Sequence, residues 1–96
     1  MADDPEQVAR QVTEVNSAVA KVRGAAFSPD GSVNIEVDVY GTITDLRLTE
    51  FAMERGPEHF GQLVQDCHER AHAAALAEAR RVEEQVRGQQ DSRGAW

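Results

Sequence analysis

Residues 30–48 read Asp30-Gly31-Ser32 through Leu48 as DGSVNIEVDVYGTITDLRL, and their alternation decides the fold. Val33, Ile35, Val37 and Val39 fall on one side of an extended chain. Ser32, Asn34, Glu36, Asp38 and Tyr40 fall on the other, which predicts a strand with one apolar and one wet face. Gly41 predicts a turn, and Ile43, Leu46 and Leu48 begin a second strand. The step from Ile43 to Leu46 is three residues rather than two, so a bulge is expected near Thr44-Asp45; failing that, Ile43 faces away from the core. Upstream, Ala25 to Ser28 is expected to form a short strand anchored by Phe27. It is joined to the next by Pro29-Asp30-Gly31, which is strong turn chemistry.

Helical patterns lie on both sides of these strands. Asp4 is expected to cap the first helix, with Pro5 at its first position and Gln7 placed as in a capping box. Val8, Val12, Val15, Val19 and Val22 follow at 4-3-4-3 spacing and draw one apolar stripe. Five valines lower intrinsic helix propensity, so this helix needs packing to persist. Gly24 is read as its stop. Thr49 to Glu54 is expected to make one helical turn before Gly56-Pro57. The last helix, from Pro57 to about Arg87, carries Phe60, Leu63, Val64, Cys67, Ala71, Ala74, Ala75 and Val82 within about 120° of arc. Asp66/Arg70 and Glu83/Arg87 are favourable i, i+4 pairs. From Gly88 onward no pattern persists, so residues 1–88 are read as one domain and 89–96 as a disordered tail.

Length and charge bound the function. Ninety-six residues give one domain with a modest core, and only five are aromatic. One cysteine excludes an internal disulfide. The N-terminus has no signal-peptide pattern, and no apolar run approaches the roughly 20 residues of a membrane span, so a cytoplasmic protein is expected. The formal charge of -7 argues against a strongly basic polyanion binder. That charge is unevenly spread: residues 25–69 hold nine acidic groups against two basic ones, while residues 70–96 hold four against five.

The sharpest chemical motif is His68-Glu69-Arg70-Ala71-His72, which matches the zinc-protease spacing H-E-x-x-H. It lacks an evident third ligand, since Glu78 lies well round the helix from both histidines. Arg70 and Asp66 also place charge where a buried zinc helix is apolar. The motif is therefore read as a polar helix flank, with no metal, no cofactor and no enzymatic activity expected. Cys67, mid-way along the apolar face, reads as a buried thiol, and Tyr40 as a surface aromatic.

The ordered set GSVNIEVDVYG, ITDLRL and GPEHFGQLVQDCHERAHAAALAEA, spanning about Val12 to Val86, resembles the YbaB/EbfC family of small bacterial nucleoid-associated proteins. The resemblance implies an α+β fold, α-β-β-β-α, with a small antiparallel sheet flanked by two long helices. It also implies a homodimer formed through the sheet, with helices projecting like tweezers and binding DNA with little sequence preference. On that reading Val33, Ile35, Val37, Val39, Leu46 and Leu48 form the core and dimer platform. Arg10, Lys21, Arg80 and Arg87, on outer helix faces, are the candidate DNA-binding residues. The competing expectation is a protein-interaction or chaperone-like module without DNA binding. It rests on the acidic actinobacterial relatives of the family, some linked to type VII secretion, and on Ala73 and Leu76 as an apolar spot on the last helix.

Overall fold

A computed structural model describes residues 4–94. Five regular elements and one short turn follow in order: helix α1 (Pro5–Ala20), strands β1 (Gly24–Phe27), β2 (Val33–Val37) and β3 (Ile43–Leu48), a 3-10 turn (Glu50–Met53) and helix α2 (Pro57–Gly94). The strands form one antiparallel sheet in the order β1-β2-β3. This is the α+β arrangement that the strand and helix patterns, with the family resemblance, led one to expect.

The bulge lies where the broken alternation placed it. Glu36 pairs with Asp45 and Val37 with Ile43, which leaves Thr44 as the extra residue. Its hydroxyl donates to Glu36 Oε1 at 2.8 Å. The extra residue returns Ile43 to the face of Leu46 and Leu48, opposite Val37, Ile35 and Val33.

Val33, Ile35 and Val37 are completely buried beneath α2, with Cys67, Ala71 and Ala75 against them. Each such aliphatic side chain contributes about 1.5–3 kcal/mol on burial. Val39 packs at the margin of this core. Phe27 is not the anchor expected for β1, being 64% exposed, whereas Gly24 and Ala26 are buried. The register explains the difference: Ala26 pairs with Ile35 on the inner face, and Phe27 pairs with Asn34 on the outer one. A side chain on Gly24 would collide with Ala71 O and the Ala75 backbone, so the inner face of β1 takes only small residues.

Ser32 also departs from the expected wet face, at 2% exposure. It joins a compact network that closes the β1–β2 turn. The Ser28 and Ser32 hydroxyls each donate to Asp30 Oδ1 at 2.7 Å, and the Ser32 N–H donates to the same oxygen at 3.0 Å. Val33 N–H then donates to Ser28 Oγ at 3.0 Å. These donors hold the Asp30 carboxyl at a pKa of about 2, first through Ser28 and then through Ser32.

The helices end differently from the sequence reading. Asp4 does cap α1, accepting from the Glu6 N–H at 3.0 Å, but the helix stops at Ala20 and Gly24 already belongs to β1. The valine stripe is only partly used. Val22 is buried and Val15 and Val19 are half-buried, while Val8 and Val12 are 41% and 53% exposed. A 3.5-residue spacing drifts around a 3.6-residue helix, and α2 opposite these two offers polar Gln90. The tail expected at 89–96 is instead helical to Gly94, where Gln90 Nε2 donates to Gln11 O at 3.0 Å. Gln and Arg are good helix formers, and this bond ties the last turns to α1. Ala95 and Trp96 lie outside the described residues.

Two outcomes test this packing. Gly24→Ala is expected to lower unfolding stability in urea by about 2–3 kcal/mol through overpacking against backbone. Gly61→Ala, with open space around its Cβ, is expected to be neutral or to stabilise by up to about 1 kcal/mol. Asp30, whose carboxyl titrates lower in the folded chain than in the unfolded one, stabilises fully above about pH 4, and that contribution disappears as the pH falls through about 2. Urea titrations at several pH values should therefore show the gap between wild type and Asp30→Asn shrinking from pH 5 toward pH 2. Parallel curves would contradict it.

Candidate nucleic-acid interface

The molecule is a long body of 64 × 20 × 15 Å with a radius of gyration of 18.7 Å. A compact chain of this length has about 12–13 Å. The excess comes from α2, whose first half covers the sheet and whose second half runs on as an arm of roughly 25 Å at 1.5 Å per residue. Helix α1 lies antiparallel along that arm, with Gln11 beside Gln90 and Val22 at the sheet beside Val82.

The cations of the arm fall into two groups. Arg10, Lys21 and Arg80 are exposed, and among the described residues none of them forms an ion pair within the chain. Arg10 on α1 and Lys21, its C-cap, fall on one side of the helix, about 16 Å apart along it. Arg87 is exposed too, but it pairs with Glu83 at 3.0 Å and borders the seam between the helices beside Val12 and Gln90. Arg81 is paired with Glu78, which holds the Glu78 carboxyl below its usual range. Such exposed, solvent-screened pairs add little to stability.

Three other arginines have structural duties, of which the sequence indicated only the Arg70–Asp66 pair. Arg23 caps the end of α1, donating to Ala20 O and Val22 O at 2.9 and 2.8 Å. Arg70 pairs with Asp66 and also donates to Phe27 O at 2.9 Å, which ties α2 to β1. Arg47 pairs with Asp45 on the outer face of β3. Arg55, near His59 and Asp30 at the sheet end, is a further exposed cation outside the arm.

The two histidines of the H-E-x-x-H match work as a latch. His68 Nε2 donates to Gly41 O at 2.7 Å and His72 Nε2 donates to Val39 O at 3.0 Å, so both rings clamp the β2–β3 turn. Asp38 holds the same turn from inside, accepting from the Tyr40 and Thr42 N–H groups at 2.9 and 3.0 Å. Glu69 faces solvent. Among the described residues no cluster of three or more His, Cys, Asp or Glu side chains is disposed to hold a metal ion. Cys67 is fully buried, and that burial pushes its thiol pKa up, away from a reactive thiolate.

β3 stands apart from the rest of the sheet. Ile43, Leu46 and Leu48 are on the inner face yet remain 44%, 45% and 48% exposed, because α2 covers only β1 and β2. Leu46 and Leu48 are thus surface residues of the single chain rather than its core. Phe51 and Met53, just beyond the strand, are also exposed. No helix is long and apolar enough to cross a membrane among the described residues.

The sequence pattern of the YbaB/EbfC DNA-binding family matches residues 1–90 of the 96, and the chain belongs to this nucleoid-associated family. No curated protein matches the chain significantly.

Removing either imidazole of the latch strands a half-buried turn carbonyl. His68→Ala and His72→Ala are each expected to lower stability by about 1 kcal/mol. Thermal melts should show that loss, and the wild-type midpoint should be unchanged by a chelator. A chelator-sensitive midpoint would mean that the histidines hold a metal.

Proposed function

We propose that the protein is a homodimer that binds double-stranded DNA weakly and with little sequence preference, acting by binding rather than catalysis on the nucleoid in the cytoplasm. Membership of a DNA-binding family supports the ligand. The observation that carries the mode of binding is the exposure of Arg10, Lys21 and Arg80, none of which forms an ion pair among the described residues; Arg10 lies out along the arm, and Lys21 lies where α1 meets the sheet. Phosphate neutralisation by Arg and Lys needs no base contacts, which fits low sequence preference. Arg87 joins them by exchanging Glu83 for a phosphate at small cost. The open inner face of β3 supports the dimer, which doubles the number of arm cations.

A second reading is a protein-interaction module, favoured by Leu76, 42% exposed beside exposed Ala73 on the outward side of α2, and by the net charge of -7. Fluorescence anisotropy with a labelled duplex across a salt series separates the two. The DNA reading predicts micromolar binding at low salt that falls steeply as salt rises. Arg80→Ala/Arg87→Ala removes up to four cations per dimer, and it should flatten the log–log salt slope by up to about 3–4. Absence of binding at low salt would favour the protein-interaction reading.

A further inference from the structure

We propose that the open edge of β1, with the cleft beside it, binds an extended acidic segment of another protein as an added strand. β1 ends the sheet on the side away from β3, so the site depends on neither the DNA reading nor the homodimer.

The backbone directions follow from the β1–β2 pairing. Ser28 N–H donates to Val33 O at 2.8 Å, toward β2. Backbone groups turn to alternate sides along a strand, so Ala25 and Phe27 turn theirs to the open edge. Arg70 agrees with this, since it reaches Phe27 O at 2.9 Å. Among the described residues, Ala25 N–H, Ala25 C=O and Phe27 N–H have no hydrogen-bond partner on that edge. An extended peptide laid along β1 meets these groups as ladder partners, the mode in which peptides extend an exposed sheet edge. A phosphodiester has no donor to offer Ala25 C=O, so the edge favours a peptide over a nucleic acid.

Shape and charge say what the added strand carries. A cleft of about 500 Å³ opens where α1 runs into β1, with Val22, Ala74 and Val82 on its floor and Lys21, Arg23 and Glu78 around it. Glu78 is paired with Arg81, and Arg70, further along the edge, is paired with Asp66. Lys21 forms no ion pair among the described residues, and Arg23 uses only Nη1, on Ala20 O and Val22 O. The cations around this edge therefore outnumber the carboxylates, against the trend of the whole chain. Glu36, opposite Ala25, is drawn the other way, where it accepts from Thr44 of β3. Side chains of an added strand alternate between the two faces. Those level with Gly24 and Ala26 fall on the α2 side, by Val22 and Ala74, and suit small apolar residues. Those level with Ala25 fall on the outer side with Arg23 and suit carboxylates. The site thus fits a segment that alternates acidic and small apolar residues.

A labelled heptapeptide alternating glutamate and valine tests this by fluorescence anisotropy. The full chain should bind it in the micromolar range, and a lysine–valine counterpart should not bind. Ala25→Pro removes the outward N–H and spares the β2 ladder, since an edge strand accepts proline where its N–H faces solvent. Ala74→Glu sets a carboxylate at the cleft from an exposed helical position, which keeps the test valid if the proline variant does not fold. Each should weaken the glutamate peptide by about tenfold. Gln62→Glu, the same added charge about 18 Å away along α2, should leave it unchanged. In the wild type, amide exchange at Ala25 and Phe27 should slow when the peptide is added, an effect that attraction to the arm cations would not produce. Absence of peptide binding, undiminished affinity in Ala74→Glu, or unchanged exchange at both amides overturns the proposal. So does a labelled duplex that Ala74→Glu weakens while the peptide does not bind, which assigns the cleft to DNA.

Discussion

The close approach of α2 to β1 at Gly24 fixes where everything else lies. Gly24 has no side chain and Ala71 and Ala75 have small ones, so the helix comes down onto the backbone of β1. From there it covers β1 and β2 and buries Val33, Ile35 and Val37 completely. One helix of ordinary width, about 10 Å, shields roughly two strands at their 4.8 Å spacing. β3 is the strand left over. Its three apolar residues keep nearly half their surface in water, and among the described residues no further strand pairs with its outer edge. An incomplete sheet and a projecting arm are thus two results of the same helix placement.

Charge and geometry divide the labour between these two ends. The sheet end holds most of the chain's acidity, yet the acids there have local duties. Asp30 gathers three donors, Asp38 organises the β2–β3 turn, and Asp45 pairs with Arg47. The arm is nearly neutral, and Arg10, well out along it, stands clear of that field. A net negative chain in a DNA-binding family is therefore no contradiction at the scale of a Debye length, about 8–10 Å in physiological salt. The acidic sheet and the tip of the arm are further apart than that.

Much of the fold was legible in the sequence because it is written in local periodicity. The alternation of Val33, Ile35 and Val37 gave the strand and its buried face. The three-residue step from Ile43 to Leu46 gave the bulge at Thr44. What could not be read depends on contacts distant in sequence. Phe27 attracted the role of anchor because it is the largest residue in its strand, whereas the register and the nearness of α2 favour Gly24 and Ala26. Ser32 continued the polar side of the alternation, but its hydroxyl is spent on Asp30 inside the turn. The continuation of α2 to Gly94 rests on Gln90 reaching Gln11, 79 residues earlier in the chain. The histidine spacing reads as a polar helix flank, whereas both rings are half-buried on the carbonyls of Val39 and Gly41, which lie in another element. Of the four cations chosen for DNA, the sequence showed their helical faces but not that Arg87 stands at the edge of the inter-helix seam.

The central claim is that β3 is an interface strand rather than a solvent-exposed edge. Residue-resolved amide hydrogen exchange at Leu46 and Leu48 tests it most directly, since both N–H groups point away from β2. The account predicts slow exchange at these two amides that becomes faster on dilution, as the pairing strand is lost. Fast exchange at both, independent of protein concentration, while Ile35 and Val37 remain protected, would contradict it.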